Sequence, residues 1–255
     1  MSLGDHLREF RNRVTISGIA IVLASILGWV YFNQLLHYLT EPLRLTAAER
    51  GQTVALNNSD VTGAFSLKLQ IALWVGVIVA SPVWLYQLWA FIMPGLHRKE
   101  KRTALAFIAT AVPLFLLGCY AATWALPNAI TALLGFTWQE GLNIMQADYY
   151  ITWVTRFILS FGLAFLLPVL LVALNLAHIL PARVMLKGWR VAVVVMFVFA
   201  AMMSPTPDPW SMFALAIPLI LLYFAAYFVA LLFDRRRAKQ EPDYHDLADD
   251  EASVL

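Results

Sequence analysis

Apolar residues fall in long runs along this chain, and short polar stretches separate them. A helix needs roughly 20 apolar residues to cross the hydrocarbon of a bilayer, and repeated runs of that length predict an all-α, polytopic membrane protein. Six spans are expected, at about residues 14–32, 69–93, 103–126, 157–180, 191–203 and 210–233. They read as one integrated domain over residues 1–233, followed by a polar tail, 234–255, that is expected to be disordered because it has almost no apolar content to bury. Residues 1–13 place Leu3, Leu7 and Phe10 at helical spacing among charges, which predicts a short amphipathic arm lying along the interface.

Prolines interrupt several of these runs: Pro82, Pro113, Pro168 and Pro218. Each removes a backbone donor and frees a carbonyl, so kinked helices are expected where neighbouring protein covers the break. Between the first two spans, Asn33 to Leu67 mixes polar and apolar residues and reads as a structured external loop with short helical pieces. Pro127 to Tyr150 reads as a second external loop, with Trp138, Tyr149 and Tyr150 suited to the headgroup layer. Pro181 to Arg190 reads as a basic loop. The fifth run is short: Val191 to Met203 rises only about 20 Å as helix, against a hydrocarbon core of roughly 30 Å. Even with the turn through Pro207, the distance available is about 26 Å, so the bilayer is expected to thin there or the turn holding Asp208 to sit sunken.

Composition supports the membrane reading. Of 255 residues, 61% are hydrophobic and 13% charged, a balance that a water-soluble domain could not solvate. The net charge of +2 says less than the placement of the charges. Lys and Arg concentrate at the two ends and in the second-to-third and fourth-to-fifth connections, whereas the opposite side holds only Arg44, Arg50, Lys68 and Arg156. Both termini are therefore expected in the cytoplasm. The single cysteine, Cys119, lies in an apolar run and is expected to pack rather than react. No cleavable signal is expected, since the first apolar run is too long for a signal-peptide core and no small-residue cleavage pattern follows it.

Two acids stand out on the cytoplasmic side. Glu9, in DHLREFRNR, and Glu100, in LHRKEKR, are each surrounded by basic residues at the edge of an apolar run. The plain reading of each is a solvated ion pair worth little; the sharper one is a pair of carboxylates facing one aqueous compartment. Catalysis finds no support: no GxSxG, HExxH or GxxxxGK[ST] pattern occurs, and the five histidines are scattered. No enzyme activity, metal or cofactor is expected, and any energy source lies outside this chain. A proton- or ion-coupled secondary transporter of a small solute is the alternative, but the span cores hold few ionisable groups, with Arg156 and His178 near ends.

The chain resembles TatC, the multi-spanning receptor subunit of the twin-arginine protein translocase. The matching segments are HLREFRNR (His6 to Arg13), PVWLYQLWAFIMPGLHRKEKR (Pro82 to Arg102), FGLAFLLP (Phe161 to Pro168), SPTPDPWS (Ser204 to Ser211) and IPLILLY (Ile217 to Tyr223). The resemblance implies a receptor in the cytoplasmic (inner) membrane for signal peptides bearing paired arginines. It implies work in an oligomeric complex with single-span TatA-like and TatB-like partners, exporting folded cargo proteins on the proton-motive force. By the same resemblance, Glu9 and Glu100 bind the arginine pair, with Arg11 and Phe91 beside them. Asp208 belongs to the short last external turn, and Pro82, Pro94 and Pro168 are structural. Three positions depart from the family pattern: Leu166, Met212 and Phe224 stand where acids or amides are common. Contacts with partner helices are therefore expected to rest on packing more than on intramembrane hydrogen bonds.

Overall fold

A computed structural model describes residues 3–49, 51, 54–57, 62–92, 101–135, 143–177, 179–203 and 209–238. Ten helices and two short strands make up these residues. The first is α1, Leu3–Val30, which joins the expected interfacial arm and the first span into one continuous helix. No glycine or proline separates Arg13 from Val14, so nothing in the backbone chemistry stops helix propagation there. The stretch expected as an external loop is mostly helical: α2, Phe32–Glu49, runs through Pro42. It buries Leu39, Leu43 and Ala47 on one face.

After α2 comes strand β1, Val54–Asn57, and it pairs in parallel with β2, Asn143–Gln146, in the register Val54 to Asn143 through Asn57 to Gln146. The all-α expectation is corrected to this extent. Four-residue strands carry too little periodicity to read from a sequence, and a parallel pair needs a long crossover to bring its strands together.

The run expected as the second span folds as a bent pair, α3 (Gly63–Val79) and α4 (Ser81–Ile92), meeting at 60°. Pro82 is the second residue of α4, where its missing N–H leaves little unsatisfied. The Trp84 indole Nε1 donates to Val77 O at 2.9 Å and satisfies a carbonyl at the bend. The third span, α5 (Lys101–Leu134), is longer than expected and runs unbroken through Pro113 and Pro127. Next, α6 (Ala147–Ala164) starts a full ten residues before the expected Phe157. It gives way at Phe165 and Leu166 to α7 (Leu167–Leu176), with Pro168 in the first turn of the latter. The basic connection folds into a short helix, α8 (Ala182–Lys187). Then α9, Trp189–Met203, is short as expected, and α10, Pro209–Ala238, carries Pro218 inside and continues past residue 233. Residues 234–238 are thus helix rather than tail.

Among the described residues, four helical stretches are long and apolar enough to cross a membrane, Gly4–Val30, Leu105–Leu134, Ala147–Leu176 and Met212–Arg237, with a fifth when the bent α3 and α4 pair is counted as one span. The short α9 falls below that length.

Small residues set the closest helix contacts. A Cβ on Gly28 of α1 would lie 2.7 Å from Ala72 Cα of α3, and Gly76 of α3 lies against Ser25 and Ile21 of α1. On the other side, Gly118 of α5 faces Phe161 of α6 and Phe165 at the break after it, and Gly162 of α6 faces Phe115 and Cys119. Lipid tails are as apolar as leucine, so such close backbone approach is what holds membrane helices together. Cys119 is buried in this packing. Two tyrosines tie elements by buried hydrogen bonds, Tyr150 Oη to Leu39 O at 2.9 Å and Tyr223 Oη to Met185 O at 2.6 Å.

Candidate functional site on the first and fourth helices

The first turns of α1 carry His6, Glu9, Phe10 and Arg13 at spacings of three and four, which puts them on one side of the helix. That side meets α4. The His6 ring stacks on Phe91 with centroids 4.6 Å apart and planes at 24°, and Phe10 lies 5.2 Å from the same ring at 54°. One turn along, Arg13 grips Glu9: Nε and Nη2 both donate to Glu9 Oε1, at 3.0 and 2.6 Å. Arg13 Nη1 reaches across to Gln87 Oε1 of α4 at 3.2 Å. The two charged side chains are about three-quarters covered, at 24% and 27% exposure, so this pair is screened less than a surface one.

Both guanidinium bonds end on the same carboxylate oxygen. Among the described residues Glu9 Oε2 accepts no hydrogen bond. Among the described residues the carboxylate is bonded at one oxygen and not at the other, and an unbonded oxygen beside aromatic rings is suited to a further planar cation.

Of the residues expected at the site, Glu9 and Phe91 come together on this seam. Arg11 does not join them; it is exposed and lines an open groove with Gly4, Leu7 and Arg8 on the outer flank of α1. Glu100, Pro94 and Asp208 lie outside the described residues, and Pro82 and Pro168 sit in the first turns of α4 and α7. Arg13 and Gln87 were not anticipated. The four-residue spacing from Glu9 to Arg13 is a readable signal, and Gln87 is the one amide in SPVWLYQLWAFI. Their convergence depends on how α1 crosses α4.

Trp89, between Gln87 and Phe91 in sequence, stacks on Phe107 of α5 at 3.9 Å and opens onto an apolar cavity of about 420 Å³. Pro168, Val172, Leu222 and Val229 form much of its far wall. The three departing positions lie partly buried among apolar neighbours: Leu166 sits at the break before α7, Met212 packs near the start of α10, and the Phe224 ring lies 6.4 Å from Trp189.

The profile of the Sec-independent protein translocase protein (TatC) matches residues 5–218. The chain belongs to the TatC family. It is 43% identical over 236 residues to the Sec-independent protein translocase protein TatC of Xylanimonas cellulosilytica, covering 92% of this chain and 86% of that one. The TatC of Aquifex aeolicus is 34% identical over 240 residues, covering 93% and 98%. A crystal structure of the twin-arginine translocase receptor TatC superposes with a TM-score of 0.75 at 33% identity, covering 89% of this chain and 98% of that one. A second, of the same receptor in DDM, gives 0.76 at 34%. This TatC chain is accordingly a multi-pass membrane protein and a component of a protein translocase.

Proposed function

We propose that this TatC chain is the receptor subunit of a twin-arginine translocase in the cytoplasmic membrane, with both termini in the cytoplasm and six crossings. It captures the paired arginines of signal peptides on folded cargo. The observation that carries this reading is the Glu9 carboxylate, held at one oxygen by Arg13 and, among the described residues, unbonded at the other, beside His6, Phe10 and Phe91. An incoming guanidinium forms charge-assisted hydrogen bonds worth about 1.5–3 kcal/mol each, and its planar fork matches a carboxylate in a way that lysine cannot. Glu100 supplies the second carboxylate. Arg11, on the outer flank, keeps the surrounding surface basic and so disfavours stray cations.

Two arginine contacts alone give weak binding, on the order of millimolar to tens of micromolar. The apolar segment of the signal supplies the rest by lying against the bundle, and the cavity beyond Trp89 is a surface of suitable character. The short α9 favours a thinned bilayer beside α9 and α10, where the TatA-like partner assembles and the proton-motive force drives transfer.

Site-specific photocrosslinking of a signal peptide bearing RR, against one bearing KK, tests the reading. The RR peptide is expected to crosslink more strongly to the wild-type chain, and Glu9→Ala and Glu100→Ala are each expected to weaken it without loss of membrane insertion. Undiminished RR crosslinking in the double variant would overturn the proposal.

A further inference from the structure

Arg156 of α6 is a charged residue within an apolar span. It is exposed, and among the described residues its guanidinium makes no ion pair or hydrogen bond. It lies about 14 Å along α6 from Ala147 at helical rise, at the end of the bundle where β1 and β2 pair. Beside it is a cavity of about 460 Å³, floored by Leu43 of α2 and Ile130 and Leu133 of α5, and walled by Met145 and Trp153. Tyr149, Trp153 and Arg156 recur at three- and four-residue spacing and therefore share one face of α6. Among the described residues, one unpaired cation thus stands beside a mainly apolar chamber.

A cation on the surface of a membrane span is unfavourable unless it reaches phosphate or water. A guanidinium only donates, so the complementary group is an acceptor-rich anion, and the apolar walls call for hydrocarbon attached to it. Tyrosine and tryptophan at this level match the ring chemistry of the headgroup layer. The geometry points to a phospholipid-binding site: the phosphodiester pairs with Arg156, and an acyl chain occupies the chamber between α2, α5 and α6. An anionic lipid is preferred, because its phosphate charge is not balanced by a choline or amine. The site stands apart from the Glu9 seam and does not depend on the receptor reading.

The test uses the full chain purified in detergent, with lipid retention read by native mass spectrometry after adding phosphatidylglycerol or phosphatidylcholine, and with thermal stability read in parallel. Wild type is expected to retain phosphatidylglycerol over phosphatidylcholine, and Arg156→Gln to lower its apparent affinity about fivefold, the scale of one basic residue at a lipid surface. Arg156→Lys is expected to fall between. Leu133→Trp fills the chamber without touching the charge and is expected to lower retention as well, so a folding defect in one variant leaves the other to decide. Equal retention by wild type and the variants would overturn the site. So would equal stabilisation by inorganic phosphate alone, which would make it a free-anion site. Unchanged lipid retention with loss of copurifying single-span translocase proteins in Arg156→Gln would likewise overturn it, in favour of a protein partner.

Discussion

Gly28 and Gly18 lie on the same helix, and alanine is expected to act on them with opposite sign. At Gly18 an added Cβ meets nothing within 4 Å. Gly18→Ala therefore only restricts the backbone and is expected to stabilise by roughly 0.5–1 kcal/mol. At Gly28 the same atom would lie 2.7 Å from Ala72 Cα, 2.9 Å from Val75 Cβ and 3.0 Å from Ala72 O. Two of the three neighbours are backbone, which cannot rotate aside. Carbon atoms settle at about 3.5–4.0 Å, so α1 must move away from α3 by on the order of 1 Å. Overpacking of this kind costs about 1–3 kcal/mol. The propensity gain is common to both variants and cancels, leaving a gap of about 1–3 kcal/mol between them. At about 2–4 °C per kcal/mol for a chain of this size, Gly28→Ala is expected to melt several degrees below Gly18→Ala. The lone, buried Cys119 provides the assay, since a thiol-reactive fluorophore labels it only as the helices part on heating. Equal melting temperatures, or a more stable Gly28→Ala, would refute the idea that close backbone approach holds α1 to α3.

Three further outcomes are expected. Asp234 Oδ1 accepts from Asn175 Nδ2 at 2.9 Å and Oδ2 from the Ala182 N–H at 2.8 Å, so Asp234→Ala strands two donors where α10 meets α7 and α8. It is expected to lower stability by about 1–3 kcal/mol in the same thiol-labelling melt, with Asp234→Asn recovering part; no change would show that this end of α10 is not held there. Tyr150→Phe leaves Leu39 O without its buried donor, and Tyr223→Phe does the same to Met185 O. Each is expected to cost about 1–3 kcal/mol, and a neutral result in either would mean that the carbonyl finds another donor. Leu166→Glu introduces an acid among partly buried apolar neighbours at the α6 to α7 break. Penalties for an ionisable group in a membrane span run to about 2.5–3.5 kcal/mol, so lower thermal stability or broader partner copurification is expected, and no change in both would remove the position from the docking surface.

Chain chemistry alone determined that this is a helical membrane protein, because apolar runs of span length cannot be hidden in water. It also singled out Glu9 and Phe91 as candidates, since a carboxylate flanked by Arg8 and Arg11 and a motif shared with a known family are local features. The tertiary structure decided the rest. Whether Leu3 to Val30 is one helix or two depends on α1 finding α3 and α4 along its length, which no window of residues contains. The β1 to β2 pair joins segments nearly ninety positions apart, beyond any local signal. Arg11 and Arg13 look alike in HLREFRNR, yet only Arg13 lies one turn from Glu9 on the side facing Gln87. Arg156 likewise reads as a charge near the end of a span, and its meaning comes from the chamber that α2 and α5 build beside it. Periodicity places a residue on a face of its own helix; which neighbour that face meets is set by packing between distant segments.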